Sequence, residues 1–286
     1  MMRLAGAISE GSGRYNEDAC GYIERDGEII AAWVLDGVTG INEVALLPGP
    51  SDAYWLVQQA QRHLSVLAAG DLSLLDILAQ LVDGLMADWH AATQQRVLPA
   101  HYDHPAACLV LAKKYADGWN VIRLGDSVVL SQDEKIHLHP PPASPLHQLE
   151  ETLRREARRR RGEGHFDFTA LLAEFRPRLV ASRQQRNTPG NYSILVADRS
   201  ALLMPELIPL GWPRHCLLCT DGFYRAVDHY GLFDDVGLMT ASLAPAGVDT
   251  VLMSIREVER ADPECRQHLR FKPADDATAV SLTASL

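Results

Sequence analysis

The feature that most constrains this chain is a repeated one: an apolar run ends on a carboxylate that sits beside a glycine or a second acid. It occurs at Trp33-Val34-Leu35-Asp36-Gly37, at Ile122-Arg123-Leu124-Gly125-Asp126-Ser127, at Leu217-Leu218-Cys219-Thr220-Asp221-Gly222 and at Ala274-Asp275-Asp276-Ala277-Thr278, with an early acidic pair at Glu17-Asp18. Short apolar runs that stop at a turn signal read as strands. One acid-glycine end alone is what an ordinary β-turn uses, but several in one chain are a different case. Carboxylates brought together raise one another's pKa, and a fold that converges them neutralises the charge with bound cations. Hard oxygen donors of this kind suit Mg²⁺ or Mn²⁺ better than zinc.

The pattern between these acids sets the architecture. Strands are expected over 4–8, 19–24 and 28–35, then a helix capped by Ser51 or Asp52 and a second helix over about 73–95. Further strands are expected over 107–112, 119–124 and 127–130, with Asp117-Gly118 as a hairpin turn between the first two. Two polar helices, over 145–161 and 167–183, read as an insertion, and strands over 192–196, 215–219 and 278–282 flank helices over 233–243 and 247–261. Strands in both halves with helical pairs between them predict an α+β layered domain, not alternating βαβ units.

Composition excludes several classes of function. In 286 residues, 27 Lys and Arg stand against 37 Asp and Glu, a formal charge of −10, which argues against broad nucleic-acid affinity. No window approaches the roughly 18 continuous apolar residues of a membrane span. Glu10 interrupts the N-terminal apolar run before a secretory core could form, so a cytoplasmic protein without a leader is expected. The five cysteines are odd in number and scattered, unlike a disulfide framework. The Cys216-x-x-Cys219 pair lies inside an apolar run and reads as buried small hydrophobes.

Taken in order, Asn16-Glu17-Asp18, Val34-Leu35-Asp36-Gly37, Gly125-Asp126-Ser127, Cys219-Thr220-Asp221-Gly222 and Asp275-Asp276-Ala277-Thr278 resemble the motifs of the metal-dependent protein serine/threonine phosphatases of the 2C type, in their bacterial, stand-alone form. The resemblance runs from about residue 6 to 282. It implies a four-layer α-β-β-α sandwich, two antiparallel sheets flanked by helical pairs, as a single domain over 1–286 with a flap-like helical insertion at about 140–191. It also implies two divalent cations, Mn²⁺ or Mg²⁺, and a third, weaker one. Asp36 would bridge the two, Asp221 and Asp275 would complete the first, and Glu17 with the carbonyl of Gly37 would hold the second. Asp18 would anchor metal-bound water, Asp126 would serve the third cation, and Asp276 is the alternative to Asp275. The implied reaction is hydrolysis of phosphoserine or phosphothreonine in a protein by a metal-bridging hydroxide, without a covalent phospho-enzyme. The alternative is a catalytically weak phosphoprotein-binding or signalling module that keeps the fold.

The chain departs from the family pattern at three places. The arginine that grips phosphate, four residues before the first-motif acid, is replaced by Gly13, with Arg14 one residue nearer as the remaining candidate for substrate binding. The histidine that often follows the bridging Asp-Gly is Val38, which has no proton to give a leaving alkoxide, so aryl phosphates are expected to outrun alkyl ones. Val128 follows the Gly-Asp-Ser motif in place of arginine. In the insertion, Arg154, Arg155 and Arg158 to Arg161 alternate with acids, which reads as a solvated, ion-paired helix face, or as a flap that steers anionic substrates.

Overall fold

A computed structural model describes residues 1–40, 42, 45–94, 96–98, 103–142, 145–162, 168–270 and 272–285. Eleven strands and seven helices are assigned among them. In chain order they are β1 (Met2–Glu10), β2 (Ala19–Arg25), β3 (Glu28–Val38), α1 (Asp52–Leu67), α2 (Leu74–Thr93), β4 (Ala106–Tyr115), β5 (Gly118–Leu124), β6 (Val128–Gln132) and β7 (Ile136–His139). There follow α3 (Pro145–Gly162), α4 (Phe168–Gln184), β8 (Leu195–Val196), β9 (Glu206–Gly211), β10 (His215–Cys219), α5 (Asp221–Asp228), α6 (Asp235–Leu243), α7 (Gly247–Ala261) and β11 (Ala277–Ala284). The expected helix start at Asp167 lies outside the described residues.

The strands form two antiparallel sheets, one ordered β1-β11-β10-β6-β7 and the other β2-β3-β4-β5-β9 with β8 on β4. Side-chain alternation decides what each face covers. On β3, Ala31, Trp33 and Leu35 point to the layer that holds Leu56, Leu64, Leu78 and Leu85 of α1 and α2, while Ala32 and Val34 point to the other sheet. On β10, Leu217 and Cys219 face Phe223, Leu238, Val251 and Ile255 of α5 to α7, and Cys216 and Leu218 face the sheet that holds β3. Strands buried on both faces lose the in-out alternation of a surface strand and become continuous apolar runs. The result is helices, sheet, sheet, helices: the four-layer sandwich. Because residues three apart on a strand point opposite ways, Cys216 and Cys219 sit in different core layers and cannot act together. Burial pushes the Cys216 thiol up to about 12.

Caps and buried charges fix the pieces that carry the site. Ser51 caps α1, accepting from the Tyr54 amide, and Ser73 caps α2, accepting from the Asp76 amide. Arg123 on β5, 1% exposed, donates to Glu206 of β9 and to the carbonyls of His139 and Pro140, which pins the entry to the α3–α4 insertion. Leu153, Ala157, Leu171 and Phe175 of that insertion form a small core of their own with Leu269. The strands missed from sequence are β7 and β9, both edge strands whose half-exposed residues dilute the apolar signal.

Candidate metal centre

Asp36 near the end of β3, Asp126 in the β5–β6 turn, Asp221 at the start of α5 and Asp275 just before β11 all line one cavity of about 490 Å³. Pairing explains the convergence. Asp36 lies opposite Cys108 in the β3–β4 register, and β10 runs antiparallel to β11, so the end of one strand lies beside the beginning of the next. The glycines beside the acids are there for close approach. A Cβ on Gly37 would come 2.4 Å from the Glu17 carbonyl oxygen, to which the Gly37 amide donates at 3.1 Å. A Cβ on Gly222 would come 2.0 Å from the Asp276 carbonyl oxygen. The acid-glycine motif thus does two jobs: it delivers a carboxylate and lets the neighbouring chain segment close against it.

The electrostatics fit a cation site. Burial, reinforced by Asp18, Asp221, Asp126 and Asp275, pushes the Asp36 carboxyl well above the usual carboxylate range. Burial likewise raises Asp18, against a hydrogen bond from Thr220 and with Asp276, Asp221 and Asp275 adding to it. Donor atoms of Asp36, Cys108 and Asp126 all lie within 4.8 Å of one another, and the Cys108 thiol donates to Asp126 Oδ1 at 3.1 Å. Two cationic side chains sit at Asp275. Arg225, one turn along α5 from Asp221, donates to Asp275 Oδ2 and lies 3.9 Å from Asp221, while the Lys272 ammonium contacts Asp275 Oδ1. Burial still leaves the Asp275 carboxyl raised, although both cations pull it down. Four acids on one small cavity with this much residual repulsion are a donor set for hard divalent cations.

The structure separates the expected site residues into those on the wall and those behind it. Asp275 faces the cavity, whereas both oxygens of Asp276 are turned to the segment before β2: Oδ1 accepts from the Ser12 amide at 2.7 Å and hydroxyl at 2.9 Å, and Oδ2 from the Glu17 amide at 2.7 Å. Glu17 itself stands back from the wall, its oxygens accepting from the Ser51 hydroxyl at 2.5 Å and the Thr39 hydroxyl at 2.8 Å. Two hydroxyl donors and 6% exposure place it behind Gly37, off the cavity wall. Asp18 accepts from the Thr220 hydroxyl at 3.0 Å, directly under Asp221. Arg14 is exposed and lies off the wall; among the described residues no hydrogen bond or ion pair orients it, and Gly13 offers no side chain in its place. In the segment between β1 and β2, Ser12 is drawn toward Asp276 and Arg14 stays outside the cavity.

The insertion does reach the site. Leu179 and Arg183 of α4 line the cavity, and Arg183 donates to the Thr39 carbonyl at 2.8 Å. Asn187, at φ 55°, accepts from the Ile194 amide and donates to its carbonyl, closing the turn that puts Tyr192, Ser193 and Ile194 on the wall. Much of the arginine run is consumed in packing: Arg159 and Arg160 pair with Glu156, Arg160 also with Glu174 of α4, and Arg161 donates to the Cys265 and Arg266 carbonyls. Sequence reading missed Cys108, Arg183, Arg225 and Lys272. Only Arg225 left a usable signal, its i,i+4 spacing from Asp221 on a helix.

A sandwich of two antiparallel sheets between helical layers, with hard-donor carboxylates converging at one end, defines a metal-dependent hydrolase. A family model described as Protein phosphatase 2C matches residues 5–255, and the chain belongs to that family. Among solved structures, the Mycobacterium tuberculosis serine/threonine phosphatase PstP/Ppp aligns with a TM-score of 0.58 at 16% identity, covering 100% of this chain and 99% of its own. PppA, described as a key regulatory component of T6SS in Pseudomonas aeruginosa, aligns at 0.56 and 17% identity, covering 99% and 98%. Stp1 of Staphylococcus aureus, a serine/threonine phosphatase, aligns at 0.54 and 13%, covering 98% and 94%. At these identities the neighbours establish the fold. No curated protein matches the chain.

Proposed function

We propose that this chain is a metal-dependent phosphomonoester hydrolase acting on phosphoserine and phosphothreonine in proteins. The observation that carries the reading is the meeting of Asp36, Asp126, Asp221 and Asp275, from four separate segments, on one cavity in a protein phosphatase 2C chain. A solved PstP catalytic domain is described as a complex with two manganese ions, which supports the same complement here. Asp36, Asp221 and Asp275 are the residues to hold one divalent cation, Asp36 with the Gly37 carbonyl a second, and Asp126 a third. Divalent cations bound there supply neutralisation of phosphoryl charge and a water acidified to react near neutral pH.

The protein's own residues do the rest. Asp18 fixes Thr220, the N-cap of α5, and through it the approach of Asp221. Glu17 holds Thr39 and Ser51 together and so sets the backbone of the Asp36–Thr39 segment. Leu179, Ile194 and Met204 give the cavity an apolar side that excludes water around the ester. Val38, also on the wall, has no proton to give the leaving oxygen.

The binding-module alternative is not favoured, since the donor set is intact. We read residues 1–286 as one phosphatase domain with α3 and α4 as its flap, and place it in the cytoplasm. Five free cysteines support a reducing compartment, and among the described residues no helix is long and apolar enough to cross a membrane. Turnover of p-nitrophenyl phosphate and of a phosphothreonine peptide, with and without Mn²⁺ or Mg²⁺, tests the assignment. Asp36→Ala and Asp221→Ala should each lose more than about 100-fold, beyond what an outer-shell change costs, with circular dichroism unchanged. Metal-independent turnover, or full activity in either variant, would contradict it. The aryl ester should be the faster substrate; equal rates would show that a proton donor has been overlooked.

A further inference from the structure

We propose that Lys272 grips the phosphoryl group of the substrate, replacing the arginine that the first strand does not supply. The inference rests on the phosphatase reading of the cavity and adds a residue to it. A phosphate monoester approaching four carboxylates meets strong repulsion, and bound cations offset it on one side only. The open side needs a side-chain cation within reach. Arg183 and Lys272 are the arginine and lysine on the described wall. Arg183 is committed to the Thr39 carbonyl at 2.8 Å and so anchors α4. Arg14 is exposed and off the wall.

Lys272 has the complementary placement. Its side chain is 43% exposed, and its ammonium contacts Asp275 Oδ1 while its charge also acts on Asp36 and Asp221. Asp275 Oδ2 is already held by Arg225, whose side chain is 14% exposed and does not line the cavity. Arg225 is thus the fixed counter-ion behind the acids, and Lys272 is a second one in front. Any cation bound by Asp275 competes with the ammonium for Oδ1. Loading the site then frees Lys272 toward the cavity, where a phosphoryl oxygen is the natural replacement partner. A compact charge on a flexible four-carbon stem, with three donors, can make that exchange.

The test is the affinity of inorganic phosphate for the full, Mn²⁺-loaded chain, measured by calorimetry beside Mn²⁺ affinity and p-nitrophenyl phosphate kinetics. Lys272→Gln should weaken phosphate binding about 10- to 100-fold, the range for loss of a charge-assisted hydrogen bond. It should raise KM more than it lowers kcat, and leave Mn²⁺ affinity unchanged or tighter. Lys272→Arg should recover most of the phosphate affinity. Unchanged phosphate binding in Lys272→Gln, a parallel loss of Mn²⁺ affinity, or a wild type that binds no phosphate overturns the proposal. A wild type that binds phosphate through Lys272 yet hydrolyses no ester supports the grip and overturns the phosphatase reading instead, so the two failures are distinct.

Discussion

Asp276 and Asp275 are chemically identical and adjacent, yet they do opposite things. A residue step at the start of a strand reverses the side-chain direction, so Asp275 points to the cavity and Asp276 to the loop before β2. The sequence favoured Asp275 as the ligand and kept Asp276 as the alternative, because nothing local says which way a strand faces. Asp276 accepts from two amides and a hydroxyl, and removing it leaves the buried Glu17 amide and the part-buried Ser12 donors unpaired. Asp276→Ala should cost about 2–4 kcal/mol in urea unfolding, since each orphaned donor carries roughly 1–3 kcal/mol. A loss under about 0.5 kcal/mol would mean that the loop is held by something else. Gly13 and Val38 were visible departures in the sequence, but Lys272, which meets Asp275, belongs to no motif and carries no signature of its own.

At the scale of elements, the site depends on how the segment between α7 and β11 is moored. Asp262, at the C-terminal end of α7, accepts from the amides of Arg266, Gln267 and His268 and from Arg270. Burial pushes its carboxyl up, but these donors outweigh burial and hold it at about 2. An unfolded aspartate titrates near about 3.9. The folded value is therefore depressed, and the stability it brings is complete above roughly pH 5 and disappears as pH falls toward about 2. Wild type should lose about 2–3 kcal/mol from this group over that window. Asp262→Asn should be less stable at neutral pH and converge on wild type near about pH 2. Urea midpoints at several pH values check this, and parallel curves would refute it. Helices α1 and α2, with their serine caps, and α7, by its apolar face, were legible in sequence; β7 and β9 were not, because edge strands carry mixed faces.

Across the whole molecule, binding at the acid cluster should report on global stability, since its four carboxylates come from both sheets and tie their ends together. A ligand at 100 times its Kd adds about 2.7 kcal/mol, which for a chain of 286 residues is a rise in Tm of about 4–5 °C. Saturating Mn²⁺ should give that shift in thermal unfolding, EDTA should abolish it, and Asp36→Ala should not show it. A wild-type Tm insensitive to Mn²⁺ would count against a cation site bridging the sheets.

The apolar runs by themselves were enough to predict an α+β layered domain, because strand and helix burial restrict residue type locally, while the resemblance of the acid-glycine ends to protein phosphatase 2C motifs added the four-layer sandwich, the family and Asp36, Asp126 and Asp221 as candidate ligands. Tertiary structure alone decided that Asp275 faces the cavity, that Glu17 and Asp18 stand behind it, that Arg14 is left outside, and that Arg225 and Lys272 meet the acids. Those outcomes depend on which face a side chain presents after distant segments pack. A charge's partners across 50 residues, as between Arg225 and Asp275, leave no periodic trace in the chain.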